Sequence, residues 1–374
     1  MKQIRTQDAA GHVLCHDITQ IIPGVRKGPA FRKGHIVTSE DIPVLLSLGK
    51  EHLYVWEPQP GMLHENQGAR LLYALCTGEA AGAEDIRVAQ AAEYAGETKT
   101  GEPPEGTAPL GKRRMRPGEI KEGKIEILAD ADGFFRVDVQ RLQAVNRLGE
   151  LMIATRRGNV PVKKDDVLGG TRVIPLMISE EKMRLAKEAA GPAPLLTLHP
   201  YRHKRFGIIT TGSEVFQGRI QDRFTPVLRE KLGAYDTREL GQVTLGDDPA
   251  AITRAIRDFL RQGADLILCT GGMSVDPDDR TPLAIRQAAE TVVSYGAPVL
   301  PGAMFMLAYA AGVPILGLPG CVMYAGRTIF DLILPRLLAD LRVDPQELAA
   351  LGHGGLCLNC PHCIFPNCAF GSGI

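Results

Sequence analysis

Apolar residues follow two different rhythms along this chain. From residue 205 to 341 they come as short continuous runs separated by amphipathic stretches, the alternation expected of buried parallel strands and the helices that cover them. Residues 206–209, 243–244, 264–269 and 313–318 are predicted strands, and residues 225–232 a helix. After Asp247-Asp248-Pro249, which can cap a helix, Ile252, Ala255, Ile256, Phe259 and Leu260 recur at helical spacing. Further helices are expected at 283–289, 303–310 and 325–341. The fold class that follows is α/β, a three-layer, mostly parallel sheet with helices on both faces, spanning residues 204–342.

Before residue 204 the rhythm is less regular, and small α+β and β-rich modules are expected. Residues 1–79 read as an α+β module with strands at 12–15, 21–22 ahead of Pro23-Gly24, 31–37 and 52–56. Its first helix starts at Asp41-Ile-Pro, buries Ile42, Leu45, Leu46 and Leu48, and ends at Gly49; a second covers 66–75. In residues 80–118 Ala, Gly, Glu and Pro dominate, so this stretch reads as a linker or loop that cannot bury enough apolar surface to be rigid. Residues 119–190 are β-rich. There 124–128 and 134–139 alternate around Asp130-Ala-Asp-Gly133 like a hairpin, 160–162 and 172–178 read as strands, and 142–155 reads as a helix with Leu142, Val145, Leu148 and Met152 on one face. Such modules are expected to serve interaction or dimerisation.

Composition narrows the function classes. The chain has 374 residues, 44% of them hydrophobic, and Lys plus Arg equals Asp plus Glu at 43 each. With no net charge there is no global field to recruit nucleic acid or an anionic membrane. The basic run Lys112-Arg-Arg-Met-Arg116 lies among Pro, Gly and Glu and reads as a solvated loop. The first residues lack the apolar core of a signal peptide, and no run reaches the ~20 apolar residues of a membrane span. A cytoplasmic location is therefore expected, where the eight cysteines stay reduced. Cys15, Cys76, Cys269 and Cys321 sit in periodic segments as small apolar residues.

The candidate chemistry gathers at strand ends. Three expected strands finish in glycine with small or acidic neighbours, at Thr211-Gly212, Thr270-Gly271-Gly272 and Pro319-Gly320. Ligands of open α/β sheets bind beyond the carboxyl ends of the strands, so the repetition points to one shared site. Asp276, Asp278 and Asp279 follow the second of these turns, and Thr281-Pro282 can cap and start the next helix.

Together these motifs carry a resemblance. Thr210-Thr-Gly-Ser-Glu214, Asp222, Gly246-Asp-Asp-Pro249, Thr270-Gly-Gly-Met-Ser274, Asp279 with Thr281, Pro301-Gly302 and Leu318-Pro-Gly320 occur in the order and spacing of the molybdopterin-binding domain of molybdenum cofactor assembly proteins. Residues 205–341 resemble that domain. An accessory region ahead of it is closer to the molybdenum-insertion enzyme than to the single-domain adenylyltransferase.

The resemblance implies contacts to molybdopterin from Thr211, Gly212, Ser213, Asp222, Thr270, Gly271, Gly272, Ser274, Thr281, Pro301, Gly302, Pro319 and Gly320. It implies catalytic, Mg²⁺-assisted roles for Glu214, Asp248 and Asp279; Asp247 has the competing reading of a helix cap. The implied activity is molybdate insertion into adenylylated molybdopterin, with a homodimer as the expected assembly. The alternative is a carrier or sensor that holds molybdopterin or finished cofactor for a molybdenum enzyme. The chain departs from the family pattern at Arg223-Phe224, at Pro301-Gly-Ala-Met304 and at Pro319-Gly-Cys-Val322, where residues able to grip anions are replaced.

Residues 343–374 form a Cys-rich tail. Cys357, Cys360, Cys363 and Cys368 give the spacing C-x2-C-x2-C-x4-C, and from Gly354 onward there is no Asp, Glu, Lys or Arg. A [4Fe–4S] cluster, a Zn²⁺ ion held by the four thiolates or by three of them with His362, and a plain tail are the three readings.

Overall fold

The computed structural model describes residues 2–22, 26–55, 60–78, 114–274, 276 and 279–373. Pro23-Gly24, Trp56, the expected linker as far as residue 113, and Asp278 lie outside the described residues. The chain divides into two compact units. The first comprises residues 1–130, 137–156 and 165–197, and the second residues 131–136, 157–164 and 198–374. Among the described residues no helix is long and apolar enough to cross a membrane.

The first unit is a set of small antiparallel sheets. Lys2–Arg5 pairs with His52–Val55, Ile18–Ile22 with Arg26–Phe31, and Met62–His64 with Met177–Ser179. A four-stranded sheet runs Met115–Pro117, Lys124–Ala129, Val167–Val173, Leu151–Thr155. The helix Glu65–Thr77 starts with a capping box in which His64 Nδ1 accepts from the Asn66 N–H at 3.1 Å and Gln67 Oε1 accepts from the His64 N–H at 2.9 Å. Glu65, in its first turn, is only 8% exposed, and burial pushes its carboxyl up to about 7 against the pull of Arg172 and Lys33.

Several expectations fail here for identifiable reasons. Residues 31–37 do not form a strand. The strand is Arg26–Phe31, set by its pairing, and the chain then turns at Gly34. Residues 12–15 contribute only isolated bridges at Val13 and Leu14. The expected helix at 142–155 stops after Val139–Asn146 and becomes the strand Leu151–Thr155. The Asn146 amide causes the break: it donates to the Ile153 carbonyl and accepts from the Ile153 N–H, each at 2.9 Å, folding the chain back on itself. Lys124–Ala129 and Gly133–Val137 are strands but not a hairpin. The second pairs with Val160–Val162 and neighbours Leu196–Pro200, because Gly133 lets the His199 backbone approach to 2.5 Å of where a Cβ would stand.

The second unit is built on a six-stranded sheet. Its order is Thr237–Leu245, Lys204–Thr211, Leu266–Thr270, Val313–Leu318, Met306–Ala310, Thr291–Tyr295; the first four are parallel, and Met306–Ala310 is antiparallel to both its neighbours. Alternation along each strand feeds two cores. Phe206, Ile208, Leu268 and Leu316 pack with the helices Phe224–Gly233 and Ile329–Leu338, while Ile209, Ile267, Cys269 and Ile315 pack with Pro249–Arg261 and Thr281–Ala288. The unit is thus a three-layer, mostly parallel α/β domain, as its apolar pattern implies.

Two of its elements differ from the sequence reading. Residues 303–310 are not helical: Met306–Ala310 is a strand with all five residues buried, and a run buried on every side carries no period to separate helix from strand. The closing helix is shorter than 325–341, because Thr328 and Asp331 form a capping box that fixes its start and the chain leaves helical geometry by Asp340, at φ 58°. The small sheet of Val160–Val162, Gly133–Val137 and Leu196–Pro200 completes the unit. Arg136 pairs with Glu347 at 2.9 Å, and the nearly buried Arg336 lies over the Phe134 ring at 5.3 Å.

Candidate functional site

The site grows from the carboxyl ends of three neighbouring strands. Lys204–Thr211, Leu266–Thr270 and Val313–Leu318 finish side by side, with Thr210 opposite Thr270 and Thr270 opposite Leu318. Each then enters its loop. Gly271 follows at φ 83°, and a Cβ there would stand 2.1 Å from the Thr211 carbonyl oxygen, so only glycine lets the two backbones lie this close. Thr211 Oγ1 donates to the Thr270 carbonyl at 3.2 Å and lies 2.8 Å from Thr281 Oγ1. The Thr270 hydroxyl is fully buried and has no hydrogen-bond partner at the point where the strand runs into the glycines.

Above these threonines lies a cavity of about 460 Å³. Of the residues singled out from sequence, Gly271, Gly272, Ser274, Asp279, Pro319 and Gly320 line it. Asp279 Oδ2 accepts from the Ser274 N–H at 2.7 Å, which closes the loop onto itself. Tyr295, on the edge strand, donates its hydroxyl to the Met273 carbonyl at 3.1 Å and so steadies the same loop from behind. Burial raises the Tyr295 hydroxyl above its ordinary pKa, with Asp279 adding to the shift, so it stays protonated and able to donate.

Other expected residues stand elsewhere. Thr211, Thr270 and Thr281 form the buried floor rather than the lining. Asp222 is engaged by the protein itself. It accepts from the Phe224 and Thr225 N–H groups at 2.8 and 3.1 Å, and from the Thr225 and Thr210 hydroxyls at 2.5 and 3.0 Å. Burial alone would raise its carboxyl, but the bonds from Thr225, Thr210 and Phe224 outweigh that and hold it below the usual range. Asp248 caps the helix Pro249–Arg261 by accepting from the Ala250 N–H at 2.9 Å. Asp247 instead takes both the N–H and the hydroxyl of Ser213, at 2.9 and 2.7 Å, tying the Thr211-Gly212-Ser213 turn to the next loop.

Glu214 is exposed in the short helix Ser213–Phe216, outside the lining of the cavity. Pro301-Gly302 packs against the start of the helix Ile329–Leu338, where the Ile329 N–H donates to the Pro301 carbonyl at 3.2 Å. The residues after that turn, Ala303 and Met304, do reach the cavity.

Sequence reasoning did not foresee that Phe224, Met304 and Cys321 share one lining, together with Met273 and Met323. The signal was present in a different form. Phe224, Ala303-Met304 and Cys321 are the very positions at which the chain departs from the family pattern, and the fold brings these departures to one place. The cavity wall is in consequence apolar and rich in sulfur.

The four tail cysteines are free thiols, Cys360 and Cys363 exposed and Cys357 and Cys368 half-buried. Among the described residues no three His, Cys, Asp or Glu side chains form a group that could hold a metal ion, so the tail sulfurs do not converge.

A three-layer, mostly parallel α/β domain with a glycine-edged cavity at its strand ends is the class that this sheet defines. Residues 207–339 match the family model described as "Probable molybdopterin binding domain". Residues 3–57 match a model described as a domain of unknown function (DUF8806). Over 78 residues the chain is 45% identical to a CinA-like protein of Mycolicibacterium vanbaalenii and 42% identical to one of Mycobacterium tuberculosis. That stretch is 21% of this chain and 18% of each relative, so the chain spans about a fifth of the length of the curated relatives it matches. Among solved structures it is similar to the molybdopterin biosynthesis enzyme MoaB of Thermus thermophilus, at 27% identity and TM-score 0.32, covering 36% of this chain and 91% of that one. A second is the tungsten cofactor synthesizing protein MoaB of Pyrococcus furiosus, at 18% identity and TM-score 0.28, covering 37% and 89%.

Proposed function

We propose that the second unit binds molybdopterin in the cavity over Thr211, Thr270 and Thr281, and that the protein acts in molybdenum cofactor biosynthesis by inserting molybdate into adenylylated molybdopterin. The observation that carries this reading is the convergence of Gly271, Gly272, Asp279, Pro319 and Gly320 on one cavity of about 460 Å³ within the family-matched segment. Backbone N–H groups without a Cβ in front of them suit the phosphate of the ligand. The buried, unpartnered Thr270 hydroxyl and the close Gly271 turn are what a polar ligand seated here would use.

Asp279 is the carboxylate at hand for Mg²⁺, which supplies charge neutralisation to phosphate oxygens when bound. Its second role is positional, holding the Ser274 N–H and with it the loop. The apolar side chains of Phe224, Met304 and Met323 would shield the ligand. The two dithiolene thiols would displace two molybdate oxygens, which leave as hydroxide with molybdenum staying Mo(VI), and one oxygen at that level would attack the phosphoanhydride, so that AMP leaves and the phosphate stays on molybdopterin. Glu214 and Asp248, outside the lining, would act only at the rim.

A second reading is favoured by the replaced grip residues. With Phe224, Ala303 and Cys321 where the family places groups that hold anions, the protein would bind finished cofactor and deliver it to a molybdenum enzyme without turnover. The two readings separate in one assay, in which the full chain is incubated with adenylylated molybdopterin, molybdate and Mg²⁺. Release of AMP with gain of molybdenum is expected, and Asp279→Asn should lower its rate at least a hundredfold. Insertion at an undiminished rate by that variant would sink the catalytic role of Asp279; tight binding without AMP release would make the protein a carrier.

A further inference from the structure

We propose that Cys360 and Cys363 form a thiol–disulfide exchange site, whose dithiol closes to a disulfide by reducing an external one. The site is separate from the molybdopterin cavity and independent of its assignment. The four thiols of the terminal loop are of two kinds. Cys357 and Cys368 are half-buried and pack against the core that holds Phe330, Ile333 and Phe370, whereas Cys360 and Cys363 are exposed. That packing fixes the base of the loop, and so does its backbone. The Cys357 N–H donates to the Leu300 carbonyl at 2.8 Å, the Gly371 N–H to the Gly354 carbonyl at 2.9 Å, and the Gly373 N–H to the His353 carbonyl at 3.0 Å. The outward pair therefore rides on a held base.

Only Pro361 and His362 separate the two exposed cysteines, and the chain bends at both. Asn359, just ahead of them, takes φ 49°, a further change of direction. Bends over so short a span draw the two Cα atoms toward the separation of about 4.4–6.8 Å that a disulfide bridges. Residues 357–373 belong to no helix or strand, so the adjustment that brings the sulfurs into contact breaks no regular hydrogen-bond ladder.

Cys363 is the sulfur placed to attack first. It accepts from the Phe365 N–H and from the Arg327 guanidinium, two donors that stabilise the charge a nucleophilic sulfur carries. Arg327 is itself held, by a bond to Asp331 at 3.0 Å and by the Phe365 ring at 5.0 Å. Lys231 bonds the same Asp331 oxygen at 2.6 Å, so two cations share this carboxylate and Arg327 keeps positive charge to offer the sulfur. Leu358, 76% exposed, and Ile364, 59% exposed, flank the pair, and from Gly354 onward the chain has no Asp, Glu, Lys or Arg. An incoming disulfide meets a face that is apolar, uncharged and backed by one guanidinium.

The exchange runs in two steps. The Cys363 thiolate attacks one sulfur of the external disulfide, forming a mixed disulfide as the first external thiolate leaves. The Cys360 thiol then loses its proton and attacks Cys363 Sγ, which closes the Cys360–Cys363 bond and expels the second external thiolate. Two electrons pass from the pair to the external disulfide, and the two protons of the original thiols end on the two thiols released.

The test incubates the reduced full chain with glutathione disulfide, alkylates the remaining thiols and maps the terminal peptide by mass spectrometry. A Cys360–Cys363 bond is expected, with two glutathione molecules released per chain and Cys357 and Cys368 left as thiols. In Cys360→Ser the reaction should stop with one glutathione on Cys363, and Cys363→Ser should form no internal bond. Arg327→Gln should slow the first step about fivefold to tenfold while far-ultraviolet circular dichroism stays unchanged. An undiminished rate in that folded variant would overturn the role of Arg327. No exchange, closure through Cys357 or Cys368, or glutathione held on Cys363 of the unaltered chain without closure would each overturn the proposal.

Discussion

The hydroxyl of Thr211 lies 2.8 Å from that of Thr281, joining the last residue of one strand to the first turn of a helix seventy positions further on. Since Thr211 spends its own proton on the Thr270 carbonyl, Thr281 must be the donor of the pair. A relay of two buried hydrogen bonds thus underlies the cavity. Thr281→Val, which keeps the shape and removes the donor, should lower the stability of the second unit by about 1 kcal/mol and weaken molybdopterin binding; Thr281→Ser should restore both. Thermal melts and a binding titration of the two variants check this.

Gly271→Ala should be far more damaging. The added methyl would meet the Thr211 carbonyl at 2.1 Å in a backbone conformation at φ 83° that alanine resists. A loss of about 2 to 4 kcal/mol is expected, with molybdopterin binding reduced at least tenfold. Wild-type binding by a fully folded Gly271→Ala protein would refute the idea that this turn seats the ligand.

Much of this was legible from the chain, and the limits are instructive. The Thr270-Gly271-Gly272 turn announces itself because its chemistry is local, whereas the cap expected of Asp247 is made by its neighbour Asp248, adjacent acids that sequence does not tell apart. Met306–Ala310 did not, because a strand buried on both faces has lost the polar alternation that marks strands. Nor could sequence place Phe224, Met304 and Cys321 together, since eighty residues separate the first two and only the closed sheet makes them neighbours. The break of the helix after Asn146 depends on a side chain reaching seven residues ahead, which no periodicity records.

Restoring charge and polarity to the cavity should tighten it. Ala303 is exposed within the lining, at the position where the family pattern has lysine, and Cys321 replaces an asparagine. The double change Ala303→Lys with Cys321→Asn is expected to raise molybdopterin affinity about threefold to tenfold, by about 1 kcal/mol, with the gain fading at high salt. Isothermal titration at two ionic strengths reads both effects.

Acid and base should act oppositely on the two units. Glu65 in the first has a folded pKa of about 7 against an ordinary 4.5, so the native state holds a proton that the unfolded chain gives up. Its contribution is complete below pH 4.5 and is lost as pH rises toward 7, on the order of 3 kcal/mol in all. Asp222 in the second is held below its ordinary range, so its contribution is present at neutral pH and lost as pH falls through its folded value. Hydrogen exchange should find the helix Glu65–Thr77 less protected at pH 8 than at pH 5, and Glu65→Gln should abolish that difference. Asp222→Asn should blunt acid unfolding of the helix Phe224–Gly233.

The second unit draws residues 131–136 and 157–164 from far upstream of the ligand loops, and this limits how such a domain can travel between proteins. A fragment cut at the edges of the family match, residues 207–339, would keep Gly271, Asp279 and Gly320. It would leave behind Phe134, the ring on which Arg336 rests, as well as both members of the Arg136–Glu347 pair. The glycine-edged loops are therefore not a cassette. Recombination that moved them intact would also have to carry the two short strands Gly133–Val137 and Val160–Val162, so inheritance of the site is tied to inheritance of the chain that precedes it.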